Sequence, residues 1–322
     1  MLYLQAVAPF VPGDTIGIAD PDARLGIADT EVRRLTRFLG LDRVPTAGRR
    51  TVLDMLVAAG QDALAGVDRS RVRYAVHAHT APHAAPPDTR LMDALRQRLG
   101  LPGARAFAMS HQACAIGLYA MTVLESLLRA EPPGSLALLM VADKVVSGLM
   151  RHLPGITVTG DAAAAVLVGL DGPGDAVLGV ARRTLGEFHE AGNMPEPLRR
   201  RYHQLYVPTV AAVIRDALDT AGVAMDAVSL VLPHNVNRYS WSVIARHLGL
   251  DLDRVYLANV PRMGHCHCAD PYVNLVTARA EAALAPGDIV LMVSVGQGGT
   301  FCAAVLRTAA QAPLPSTREV RA

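Results

Sequence analysis

The stretch PPGSLALLMVADKV (residues 132–145), followed by TGDAAAAVLVGL (159–170), has a counterpart in APGDIVLMVSVGQG (285–298), followed directly by GTFCAAVLRT (299–308). In each pair a turn opens an apolar strand, and a small-residue strand closes the unit. Upstream, DRSRVRYAVHAHT (68–80) is matched by MDAVSLVLPHNVN (225–237): a short helix end, a strand and a polar loop. Two copies of one β/α unit predict a duplicated α/β fold with a pseudo-twofold relation. The Gly/Pro/Asp run LDGPGDA (170–176) marks the boundary, giving halves of 1–172 and 173–322.

Around these units, apolar periodicity predicts helices over 51–64, 89–99, 114–129, 202–221 and 239–248, with Pro208 breaking or kinking the fourth. Strands are predicted over 72–77, 136–141, 162–169, 229–232, 289–295 and 300–306. The closing AAQAPLPSTREVRA (309–322) is aperiodic and reads as a loose tail. With 51% hydrophobic and 19% charged residues, the chain suits a compact enzyme with much buried sheet and excludes a disordered protein. A net charge of +2 gives no reason to expect nucleic acid, and Lys144 is the only lysine, which reads first as genome composition bias. The opening MLYLQAVAPFVPGD has no basic region before its apolar run, unlike a signal peptide, and no apolar stretch reaches the ~20 residues of a membrane span. Four cysteines without a CxxC pair argue against a disulfide scaffold and predict a reduced, cytoplasmic protein.

Chemistry concentrates at Cys114, in AMSHQACAIGLYAMTVLESLL (108–128). A strand ends near Met109, a polar turn follows, and a helix is predicted to begin at the cysteine. A thiol there meets the positive helix end and free backbone N–H groups, both of which favour the nucleophilic thiolate. The alternative is a buried helix cysteine. His234 follows the strand VSLVLP and precedes a helix, which suits either a ring at the mouth of a sheet or a capping residue. Gly296, Gly298 and Gly299 form a turn between two strands.

Three segments carry a family resemblance. AMSHQACAIGLYAM (108–121) resembles the nucleophile segment of β-ketoacyl-acyl-carrier-protein synthase III enzymes. LVLPHNVNRYSWSVIARHLGLDLDRV (230–255) resembles that family's histidine segment, and PGDIVLMVSVGQGGTFCAAVL (286–306) its C-terminal glycine-rich turn. The motifs occur in the family's order, and the resemblance is weakest before residue 48. It implies the thiolase fold, a five-layered α-β-α-β-α architecture, and a divergent, secondary-metabolism acyltransferase. It further implies Cys114 as the acyl-carrying nucleophile, His234 in the active site and Asn237 as support for its loop. The backbone N–H of Gln297, beside Gly298, would complete an oxyanion hole with that of Cys114; glutamine stands here where the family usually has glycine, and the amide survives that change.

The departure is at the third catalytic position. The family's asparagine is replaced in PRMGHCHCADPYVNL (261–275) by His265, with His267 and Asp270 as the other candidates; Asp270-Pro271 itself reads as an N-cap followed by Pro at the first helical position. A Cys-His-His set resembles the elongating ketoacyl synthases, implying decarboxylative condensation of an acyl group on Cys114 with a malonyl-type thioester. Acyl transfer to an oxygen or nitrogen acceptor is the alternative, and a catalytically silent partner subunit a further one. The resemblance implies acyl-coenzyme A or acyl carrier protein as substrate, no cofactor, and a homodimer. Arg238 and Arg246, with Arg199, Arg200 and Arg201, would offer the carrier protein a basic face. A metal is not expected, because strict alternation in a strand puts His265 and His267 on one face and Cys266 and Cys268 on the other. His77, His79 and His83 read as solvated loop histidines.

Overall fold

The structure, a computed structural model, describes residues 1–20, 25–81, 84–86 and 89–310; His83 and most of the expected tail lie outside them. The strands are β1 (Leu2–Phe10), β2 (Thr15–Gly17), β3 (Arg43–Pro45), β4 (Val72–Ala78), β5 (Arg105–Met109), β6 (Leu136–Asp143), β7 (His152–Leu153), β8 (Thr157–Val158), β9 (Ala162–Gly169), β10 (Asp175–Thr184), β11 (Val228–Leu232), β12 (Ile289–Gly296) and β13 (Thr300–Arg307). The helices are α1 (Asp29–Arg33), α2 (Val52–Ala63), α3 (Leu91–Arg98), α4 (Ile116–Leu128), α5 (Gly148–Arg151), α6 (Glu196–Ala221), α7 (Arg238–Leu248), α8 (Asn259–Met263) and α9 (Asp270–Ala280).

Nine strands form one sheet in the order β11-β12-β13-β10-β1-β9-β6-β4-β5. The order repeats about the β10/β1 junction. On one side β4 runs parallel to β6, which is antiparallel to β9. On the other, β11 runs parallel to β12, which is antiparallel to β13. The two sides join through a short antiparallel pairing of Leu2–Leu4 with Asp175–Val177.

The layering follows from side-chain alternation. In β9, Ala162, Ala164, Val166 and Val168 face one core, while Ala163, Ala165 and Leu167 face another. In β13, Cys302, Ala304 and Leu306 face that same first core, while Phe301, Ala303 and Val305 face a third. The shared central core is filled by α4 and α9; α2 and α3 cover one outer face and α6 and α7 the other. Strands buried on both faces read as unbroken apolar runs, which is why AAAAVLVG carries no polar residue. The result is the five-layered thiolase fold.

Two local expectations change. α6 is one helix passing through Pro208, and it starts at Glu196. Asp270 is the first residue of α9, with Ala269 at the cap position, so its carboxylate is free to bond elsewhere. Among the described residues, no helix is long and apolar enough to cross a membrane.

Candidate active site

Cys114 sits in a 3-10 turn, Ala113–Ala115, between β5 and α4, just ahead of the helix rather than at its first residue. The turn is tight: His111 and Ala113 hold φ of 71° and 44° without being glycine. Such conformations cost on the order of 1–3 kcal/mol each and persist only where the surroundings fix them. Here Ser294 Oγ donates to the Cys114 carbonyl at 2.7 Å. Gly296 runs so close beneath that a Cβ on it would collide with the Gln112 carbonyl.

The HCHC segment is not a strand. Gly264 adopts φ 54°, where a side chain would be strained and would meet the Val158 carbonyl. His265 makes a single bridge to Thr159, and His267, at φ 55°, opens a 3-10 turn. The two imidazoles therefore reach the thiol by a turn, not by alternation. Cys114 Sγ lies 3.2 Å from His265 Nε2 and 3.8 Å from His267 Nδ1. Behind His265, its Nδ1 is 2.5 Å from Asp270 Oδ2. The same carboxylate accepts the backbone N–H groups of Asn235 (2.6 Å) and Cys266 (2.7 Å), so it ties the His234 loop to the His265 loop. Cys268 Sγ and Cys114 Sγ both contact Thr80 Oγ1, at 3.3 and 3.4 Å, and the Asp143 carboxylate holds the Thr80 loop through two backbone N–H groups.

This geometry sets charge. Burial pushes the Cys114 thiol up, but the His265 charge and hydrogen bond, helped by His267, outweigh it and bring the thiol down to about 6. For His265, burial opposes the charge, while the Cys114 thiolate and Asp270 raise it well above the ordinary imidazole value. His267 is raised too, its bond to Cys114 overcoming burial. Charged side chains, rather than the helix end alone, account for the thiolate.

His234 is in the same cavity in a different state. Burial, then the His265 charge, lowers it to about 3, so it is neutral. Its Nε2 lies 3.0 Å from the Tyr206 hydroxyl, and its ring centroid is 6.2 Å from that of His265. Trp241 packs edge-on against it and donates Nε1–H to its carbonyl at 2.9 Å. Asn237 caps α7, its side chain accepting the Ser240 N–H at 2.7 Å.

Cys114, His234, His265, His267 and Gln297 line one cavity of about 610 Å³, whose other walls include Phe38, Leu153, Ile156, Tyr202 and Tyr206. Gly298, at φ 91°, lies instead toward the Phe188 and His189 carbonyls. Arg238 and Arg246 are exposed on α7. Arg199 and Arg200 pair with Glu196, and Arg201 with Glu187, so those three face acidic partners of their own. His77 and His79 are buried, not solvated; burial takes His77 down to about 4.

Tyr206 and Thr80 lie outside the sequence motifs that mark the other site residues. The internal repeat set the Thr80 loop opposite the His234 loop, which was the available signal for the second.

Residues 218–308 match the family described as 3-oxoacyl-[acyl-carrier-protein] synthase III, C terminal. The chain is 26% identical to a β-ketoacyl-[acyl-carrier-protein] synthase III of Aquifex aeolicus, covering 87% of this chain and 92% of that one. Among solved structures it resembles ChlB3, described as an acyltransferase, with a TM-score of 0.86 at 20% identity, over 97% of this chain and 99% of that one. It also resembles the 3-oxoacyl-(acyl carrier protein) synthase III of Pseudomonas aeruginosa PAO1, with a TM-score of 0.81 at 22% identity and the same coverage.

Proposed function

We propose, from the premise that the chain is a synthase III-like member of the thiolase superfamily and so an acyltransferase by family, that it carries an acyl group on Cys114 and passes it to a hydroxyl or amine acceptor. The observation that carries this reading is the line Cys114–His265–Asp270, with contacts of 3.2 and 2.5 Å. A carboxylate behind an imidazole fixes its tautomer and stabilises the imidazolium, the arrangement suited to a general base.

The cycle needs two half-reactions. The Cys114 thiolate attacks the carbonyl of a thioester on coenzyme A or a carrier protein. The backbone N–H groups of Cys114 and Gln297 hold the oxyanion. The tetrahedral intermediate expels the donor thiolate, which takes the proton from His265. In the second half, neutral His265 accepts the proton of the acceptor as its oxygen or nitrogen attacks the acyl carbonyl. Cys114 leaves as the thiolate, and the ion pair is restored. His234, neutral and bonded to Tyr206, shapes the acceptor end of the cavity. Arg238 and Arg246 would meet the acidic face of a carrier protein, and a homodimer is the expected assembly. The complete Cys-His-Asp line speaks against a silent subunit.

Decarboxylative condensation is the second reading, favoured by the presence of a second, uncharged imidazole, His234, in the cavity. Two imidazoles can hydrogen-bond the enolate formed as carbon dioxide leaves. A malonyl thioester labelled in its free carboxylate separates the two. Transfer predicts that the label stays with the acyl group through loading and turnover. Release of labelled carbon dioxide coupled to product formation would replace transfer by condensation.

A further inference from the structure

We propose that the acyl-free site binds one Zn²⁺ ion through Cys114 Sγ, His265 Nε2 and His267 Nδ1, with the fourth position open to the cavity. These three atoms form a cluster whose members all lie within 4.8 Å of one another, and all three residues are buried. Zinc bonds of ~2.3 Å to sulfur and ~2.0 Å to nitrogen, arranged tetrahedrally, require sulfur–nitrogen separations of roughly 3.5 Å. The two observed sulfur–nitrogen separations, 3.2 and 3.8 Å, bracket that value, and the two nitrogens lie within 4.8 Å of each other, close enough for ring rotation to bring both onto one ion.

Two further observations point to a ligand. His265 is supported through its other nitrogen by Asp270 at 2.5 Å, the carboxylate–histidine arrangement that orients imidazole ligands of zinc. His267 is only 6% exposed and held at positive φ, and this turn commits its Nδ1 to the Cys114 sulfur. The line Cys114–His265–Asp270 needs no second imidazole at the sulfur; a metal does. Two nitrogens and one sulfur suit Zn²⁺ over Mg²⁺ or Ca²⁺, which take oxygen ligands.

Coordination rests on geometry alone. Its consequence rests on the reading that Cys114 carries the acyl group: metal and acyl group compete for one sulfur, so zinc holds the enzyme unloaded.

The test titrates metal-free protein with Co²⁺ and then Zn²⁺. One Co²⁺ per chain is expected, with a near-ultraviolet thiolate charge-transfer band and tetrahedral visible bands, both bleached by one equivalent of Zn²⁺. Carbamidomethylation of Cys114 in the wild-type protein, with the fold checked by circular dichroism, should abolish uptake. His267→Ala should remove stoichiometric binding, and Asp270→Asn should weaken it by about 10–100-fold. Stoichiometric uptake that survives alkylation of Cys114, or no uptake beyond a small fraction of one ion per chain, overturns the site. Acyl loading is measured separately in metal-free buffer by intact mass. Loading without zinc binding sinks only the metal site, and zinc binding without loading sinks only the acyl-carrier reading.

Discussion

Two histidines reach the same cavity from different loops and end in opposite states. His265, in the loop ahead of α9, faces a thiol on one side and a carboxylate on the other, and is raised well above the ordinary imidazole range. His234, in the loop after β11, faces the Tyr206 hydroxyl and Trp241 and is lowered to about 3. Both are almost fully buried, so desolvation works equally against the charge of each. The difference is Asp270 together with the Cys114 thiolate. Burial does not decide which imidazole moves protons; the placement of the Cys114 thiolate and the Asp270 carboxylate on either side of one ring does.

The comparison breaks most sharply by removing one ring at a time. His265→Ala should slow loading of Cys114 by an acyl thioester by about 10²–10⁴-fold, followed by stopped-flow release of the donor thiol. His234→Gln should leave loading within a few-fold of wild type and slow only discharge to the acceptor. Equal losses in both variants for both steps would erase the distinction. Next in size is Asp270→Asn, which keeps the shape but removes the charge. Loading should fall by about 10²–10³-fold, less than removal of the ring, and the pH at which Cys114 becomes reactive should rise. An unchanged pH profile would mean that Asp270 only braces the two loops. The smallest effect belongs to Tyr206→Phe. One neutral hydrogen bond is worth about 1 kcal/mol, so discharge should change by about five-fold and loading not at all.

The sequence displayed the layered fold well, because the two-faced burial of β6, β9, β12 and β13 writes itself as unbroken small and aliphatic runs. It displayed β1 and β10 poorly. β1 lies at the N-terminus, where no repeat partner flags it, and β10 ends in Arg182 and Arg183. Those arginines are accommodated by Tyr119, with the Arg182 guanidinium 4.2 Å from the ring centroid, and by Asp216. No local pattern announces such partners. Cys114 was legible from its strand–turn–helix setting. The pairing of Cys114 with His265, 151 residues apart, was reachable only through the family's spacing. The HCHC run misled through its period: Gly264 and His267, both at positive φ, turn an apparent strand into a loop and deliver two imidazoles to one sulfur. Asp270 was misread as a helix cap, since Asp before Pro at the start of a helix has that signature, while its carboxylate serves three donors outside α9.

The central claim, that His265 holds Cys114 as a thiolate ready to take an acyl group, is tested most directly by the pH dependence of alkylation by iodoacetamide, mapped by peptide mass. The thiolate forms as pH rises through the folded value, so labelling of Cys114 should be half-maximal near pH 6. It should be lost below that value, and His265→Ala should move the midpoint up toward the ordinary thiol value of about 8.5. A wild-type midpoint already near 8.5, or labelling that falls first on Cys266, Cys268 or Cys302, would contradict it.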